Sequence, residues 1–141
     1  MAKSIPFSMR LSAETDAMIT AEARRLKRSK GAVVEALAEE ALRMRMFPGI
    51  AFRNEDWDRR PWVMGSALDV WQVIDIYRDV KSVDEMVANW SLSEQQVRLA
   101  LAYYERYPDE IDEHVAQNRL SIEELRELYP SIEVVIDEHW H

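Results

Sequence analysis

The chain has 141 residues, 48% hydrophobic and 31% charged, with no cysteine and a formal net charge of −8. This composition excludes disorder throughout, the missing cysteines exclude disulfides and thiolate metal sites, and the length leaves room for two modules only if one is small. No apolar run approaches the roughly 20 residues of a membrane-spanning helix, and the stretch from Met1 to Arg10 lacks a signal peptide's apolar core, so a cytosolic protein without a membrane partner is expected.

The charge is unevenly spread. Residues 1–46 hold nine Lys/Arg against six Asp/Glu, a balance of +3, while residues 47–141 hold nine against twenty, a balance of −11. From Tyr107 onward, Arg119 and Arg126 face ten acidic residues. The two ends are therefore expected to take different partners.

Ile5, Phe7, Met9 and Leu11 alternate with Pro6, Ser8 and Arg10, the period-2 pattern of a strand with one apolar face. Ile19, Ala23 and Leu26 then recur at helical spacing, and Lys27-Arg28-Ser29-Lys30-Gly31 interrupts them as a turn. Val34, Leu37, Ala38, Ala41 and Leu42 form a second helical stripe, with Ser29 as its N-cap and Pro48-Gly49 as its stop. One strand with two short helices cannot enclose a core, so a second copy is expected to complete it, with Phe7, Met9, Leu11, Val34, Leu37 and Leu42 in the dimer core.

The order of these elements, with Phe7-Ser8-Met9-Arg10-Leu11 and Lys27-Arg28-Ser29-Lys30, resembles the ribbon-helix-helix repressors, which include many bacterial antitoxins. The resemblance implies a dimer that binds operator DNA, with Ser8 and Arg10 reading base edges and Lys3 nearby. It also implies phosphate contacts from Lys27, Arg28, Ser29, Lys30 and the backbone of Gly31. Pro6 and Gly31 depart from the family, the first removing a ladder donor and the second a hydroxyl.

Past a polar linker around Arg53, Asn54, Glu55 and Asp56, the stretch 60–66 predicts a short strand and turn into a helix that begins near Leu68. On that helix Leu68, Trp71, Ile74 and Tyr77 share a face, and Val70 and Val73 lie on others. Ser82-Val83-Asp84-Glu85 and Ser93-Glu94-Gln95-Gln96 have the capping-box form and predict two more helices, the later running through Val97, Ala100, Leu101 and Tyr104 to Pro108. Trp57, Trp62 and Trp71 are expected to form one cluster. The strings Arg60–Trp71, Ser82–Met86 and Leu92–Tyr104 resemble a bacterial domain-of-unknown-function family associated with VapB-type antitoxins, whose companion toxin is a PIN-like ribonuclease. Where that family has Gly-Thr-Arg, this chain has Gly65-Ser66-Ala67, so the role of the arginine does not carry over.

Toward the end, Ser121-Ile122-Glu123-Glu124 predicts a further short helix with Leu125 and Leu128 on its apolar side. Ile132, Val134 and Ile136 alternate with Glu133, Val135 and Asp137 as a strand would. Leu125, Leu128, Ile132, Val134, Ile136 and Asp137 are the expected toxin-binding residues, able to cover a cationic surface or add to a sheet edge. No catalytic constellation stands out: His114, His139 and His141 match no zinc spacing, and no cofactor or metal is expected.

The reading is a mainly α, non-enzymatic protein in three parts. Residues 1–48 form a dimeric ribbon-helix-helix, 57–113 a small helix-turn-helix-like three-helix bundle, and 114–141 an acidic helix plus strand. The joined resemblances imply an antitoxin that represses its own operon as a homodimer or larger assembly and neutralises a PIN-like ribonuclease. A stand-alone transcriptional regulator with an oligomerising or ligand-sensing second module is the alternative, and a small hydrolase using Asp137 and His139 a more distant one.

Overall fold

The computed structural model describes residues 4–128, with the backbone alone for Trp57, 119–126 and Leu128. In chain order it contains helices α1 (Ala13–Leu26) and α2 (Lys30–Met46), strand β1 (Ile50–Arg53), a 3-10 turn (Asp56–Asp58) and strand β2 (Arg60–Val63). Helices α3 (Val70–Val80), α4 (Val83–Asn89), α5 (Glu94–Arg106) and α6 (Pro108–Leu128) follow. The protein is thus mainly α, and its residues divide into two compact units, 1–42 and 43 onward.

Two helices precede any strand, and this overturns the ribbon-helix-helix expectation. Residues 4–11 belong to no secondary structure, because a strand exists only against a neighbour and the one sheet among the described residues joins β1 to β2. Pro6 additionally lacks the N–H a ladder needs. The operator-reading repressor role attached to that strand falls with it, as does the joined resemblance to VapB-type antitoxins, of which the ribbon-helix-helix was one half.

In the first unit, the Ser12 side chain caps α1 by accepting from the Thr15 N–H at 3.2 Å. Lys27 ends α1 in the left-handed region at φ 56°, sending its N–H to the Ala23 and Arg24 carbonyls. Ser29 Oγ accepts from the Ala32 N–H at 3.1 Å and opens α2. The buried core is Ile19, Ala23 and Val33, with Leu11, Leu26 and Val34 partly buried against it.

The second unit has a larger core. The antiparallel pair of β1 and β2 sets Ile50 opposite Val63 and Phe52 opposite Pro61, and Ile50 and Val63 turn into the interior. They meet Val70, Val73, Ile74 and Ile76 of α3, Met86 of α4, Leu92, and Val97, Ala100 and Tyr103 of α5, with Ile111 of α6. Burial on α3 centres on Val70, Val73 and Ile74, while Leu68, Trp71 and Tyr77 are partly buried, so the helix is covered on more than one side. Helices α3, α4 and α5 each start at a polar cap. Gln72 Oε1 accepts from the Asp69 N–H at 2.8 Å, Ser82 Oγ accepts from Glu85, and Ser93 and Gln96 form a reciprocal box. Gly49, at φ 109°, makes the turn between α2 and β1, where an added Cβ would stand 2.7 Å from Leu99 Cδ2.

Pro108 does not break the chain's helical course but starts α6, since the first position of a helix needs no N–H donor. The helix then runs unbroken to Leu128, so Ser121 lies inside it and is not the N-cap of a separate short helix. The expected boundary at residue 114 falls within α6 as well. The strand expected over 132–136 lies outside the described residues. Among the described residues no helix is long and apolar enough to cross a membrane.

Candidate functional site

Of the residues expected at a dimer core, only Leu11 and Val34 are partly buried within the chain. Phe7 is 83% exposed, Leu37 49% and Leu42 61%. Met9, Ile5 and Met18 are also open to solvent, as are Ala38 and Ala41 on α2. The second helical stripe is therefore present as a helix face, but beyond Val34, which packs on the unit's small core, its residues Leu37, Ala38, Ala41 and Leu42 are exposed. Val33, one position before the expected stripe, is what α2 contributes to the unit's core.

A unit of about this size ordinarily needs a disulfide, a metal or a partner to hold it. This chain has no cysteine, and among the described residues no group of three potential ligands could hold a metal ion. The apolar face of α2 and the side chains before α1 are the remaining resource, and they become stabilising only when covered.

The basic turn is more engaged than its composition suggests. Lys30 pairs with Asp16 of α1, and Arg28 also interacts with neighbouring groups. Lys27 serves as the left-handed end of α1, Ser29 as the cap of α2, and Gly31 has open space where a side chain would stand. Ser8 and Arg10 are exposed in the segment before α1. Lys3 lies outside the described residues. The structure brings Lys30 to Asp16 but does not gather these residues on a strand.

The acidic run in the second unit is likewise partly spent inside the fold. Two matching triangles tie α6 to the tyrosines of α5. In the first, Arg43 Nη1 donates to Tyr103 Oη at 2.8 Å and to Glu110 Oε2 at 2.5 Å, and Tyr103 Oη donates to Glu110 Oε1 at 3.2 Å. In the second, Arg78 Nη2 donates to Tyr104 Oη at 2.9 Å and pairs with Asp112, and Tyr104 Oη donates to Asp112 Oδ1 at 2.9 Å. The Arg43 guanidinium also lies 4.0 Å from the centre of the Tyr107 ring, beside the edge-on pair of Phe47 and Tyr103.

These triangles move the ionisations in predictable directions. Burial raises the Tyr103 hydroxyl, the Glu110 charge raises it further, and Arg43 only partly opposes them. Burial works against the Arg43 charge, but Glu110 and Tyr103 outweigh it and hold the guanidinium more firmly protonated than usual. Desolvation pushes Asp112 up, yet hydrogen bonds from Arg78 and Tyr104 prevail and leave it below the ordinary aspartate range. Asp109 and Glu113 stay exposed on α6.

A third polar centre lies where the β-hairpin approaches α3. Asp69, 7% exposed, accepts from Arg53 Nε at 2.8 Å and from the Trp71 indole at 3.3 Å, while the Trp62 indole donates to the Ser66 carbonyl. Arg53 also stands 5.4 Å from the Trp62 ring centre. Trp62 and Trp71 thus share Arg53 and Asp69 as polar go-betweens. Sequence reasoning missed Arg43, Asp69 and the two triangles. The adjacent tyrosines Tyr103-Tyr104 followed by acids at 110 and 112 were the signal, because two neighbouring residues of one helix point to different faces.

Of the expected toxin-binding residues, Leu125 and Leu128 lie along α6, and Ile132, Val134, Ile136 and Asp137 fall outside the described residues. Comparison with known family models, curated proteins and solved structures finds no match to this chain.

Proposed function

We propose that this chain is a cytosolic binding protein that forms a homodimer through residues 1–42 and neutralises a cationic, PIN-like ribonuclease toxin with its acidic remainder. The observation that carries the reading is the exposed apolar face of α2, Leu37 and Leu42 with Ala38 and Ala41, joined by Phe7 and Met18 of the same unit. A second copy is the simplest cover, since a twofold axis sets each such face against its twin with no further protein required. The charge supports the other half of the reading. With −11 from residue 47 onward, this part of the chain attracts a surface built to hold RNA and competes with RNA for it.

Two measurements test the proposal. Sedimentation of the full chain should give a dimer at micromolar concentration, and Leu37→Asp with Leu42→Asp should give a monomer whose second unit remains folded. A monomeric wild-type chain refutes the dimer. RNA cleavage by a PIN-like ribonuclease encoded beside this gene should stop on adding the chain in equimolar amount, and undiminished cleavage refutes neutralisation.

A further inference from the structure

His114 sits on α6 with its ring half-buried, between Ile111 and Val115, which are both buried in the core. Its Nδ1 is closed off from solvent and has no hydrogen-bond partner among the described residues. In the neutral ring that nitrogen is a lone pair without a donor, a modest penalty. Once protonated it is a buried N–H without an acceptor and part of a cation, which costs more.

The charged groups around the ring do not relieve that cost. From β2 comes Arg60, whose guanidinium donates to Asp58 at 3.0 Å and to Gln117 of α6 at 3.3 Å, so it spans the hairpin and α6 beside the imidazole. The carboxylates that face His114 are Glu110 and Glu113 on its own helix and Asp69 ahead of α3. Glu110 is held by Arg43 and Tyr103, and Asp69 by Arg53 and Trp71. Glu113 is exposed and accepts from Gln117. The helices α3 and α5, which also pack on α6, send Arg78 and Tyr104 to Asp112 and Tyr103 to Glu110.

We propose that His114 is a proton-operated latch: neutral, it lets α6 dock beside the β-hairpin, and protonated, it drives that turn of α6 to open. Burial first, and then the Arg60 charge, hold the docked imidazole below the ordinary histidine value of 6.5, against the pull of Glu110, Glu113 and Asp69. The sign follows. Above pH 6.5 docked and open forms are both neutral and the latch is inert, while below it the open form takes up a proton that the docked form refuses. Docking therefore weakens as the pH falls through 6.5 and stops weakening once the docked ring itself protonates. Asp112, which Arg78 and Tyr104 hold below the ordinary aspartate range, stays charged throughout that window. The inference does not depend on the proposed function.

Amide hydrogen exchange on the full chain tests it. After correction for the intrinsic pH dependence of exchange, the opening constant at Ile111 and Val115 should rise by up to about tenfold per pH unit below 6.5. In His114→Leu, which cannot take a proton, the same amides should show a flat profile over that window. An unchanged slope in the variant overturns the latch. Should His114→Leu fail to fold, titration of the His114 ring protons by NMR in the wild type decides, because a midpoint at or above 6.5 overturns the proposal and one below it supports it.

Discussion

The two units of this chain draw on different sources of order. Beyond residue 42 a dozen buried residues, from one sheet, four helices and the connection at Leu92, enclose each other, and two Arg-Tyr-carboxylate triangles tie α6 to α5. Residues 1–42 bury Ile19, Ala23 and Val33 and leave most of their large apolar side chains in water. A small helical hairpin can be correctly capped at each end and still lack a core, because caps satisfy backbone groups at helix ends and do not remove apolar surface from water. The first unit is well specified locally and incomplete globally, whereas the second is complete by itself.

The largest expected effect falls where completion is internal. Val97 is fully buried on α5, and Val97→Asp would place a carboxylate in a cluster whose buried members are all hydrophobic. We expect a loss above about 4 kcal/mol, independent of protein concentration because the core is internal to the unit. Circular dichroism across a hundredfold dilution checks it, and a folded variant would show that this core is far looser than its burial implies.

How much of this contrast is legible in the sequence depends on whether the information is local. The cap serines Ser29, Ser82 and Ser93 sit where helices start, and Ile19, Ala23 and Leu26 share the face their spacing predicts. What misled was information that needs a neighbour. The alternation from Ile5 to Leu11 is a strand pattern without a strand to pair with, while Ile50–Arg53, too short and too close to a polar linker to stand out, does pair, because Arg60–Val63 returns beside it. Pro108 rightly marks the end of α5, which stops at Arg106, but that it also opens α6 does not follow from its own position. The bond of Arg43 to Glu110, 67 residues away, has no local signature.

Glu110→Gln should give the next largest effect, since the Arg43 and Glu110 side chains are 17% and 26% exposed and the variant removes a carboxylate charge held directly against the guanidinium. The expected cost is about 2 kcal/mol, below the about 3–5 kcal/mol of a fully buried pair. Urea unfolding followed through tyrosine and tryptophan fluorescence would measure it. Gly49→Ala should cost about 1–2 kcal/mol, because its φ of 109° is strained for any L side chain and the new Cβ must push Leu99 aside. A thermal melt that matches wild type would mean the turn between α2 and β1 relaxes without strain.

The smallest effects come from an interaction that both units contain, an ion pair between exposed side chains distant in sequence. In the first unit Lys30 and Asp16 are 51% and 47% exposed, and in the second Arg78 and Asp112 are 40% and 47% exposed. Taken as isolated pairs, both are worth no more than about 1 kcal/mol, and salt screens both. They should nevertheless differ, because Asp112 also accepts from Tyr104 and is held below the ordinary aspartate range by that bond together with Arg78. A depressed carboxylate contributes its stability above the unfolded value and loses it as pH falls through the folded one, so Asp112→Asn should flatten the second unit's acid unfolding below about pH 4. At pH 7 in 0.5 M salt, Asp112→Asn should retain a small measurable cost through the lost Tyr104 bond, while Asp16→Asn should become indistinguishable from wild type. Equal residual costs at high salt would erase this difference between the units, and with it the claim that α6 is held by triangles instead of by charge alone.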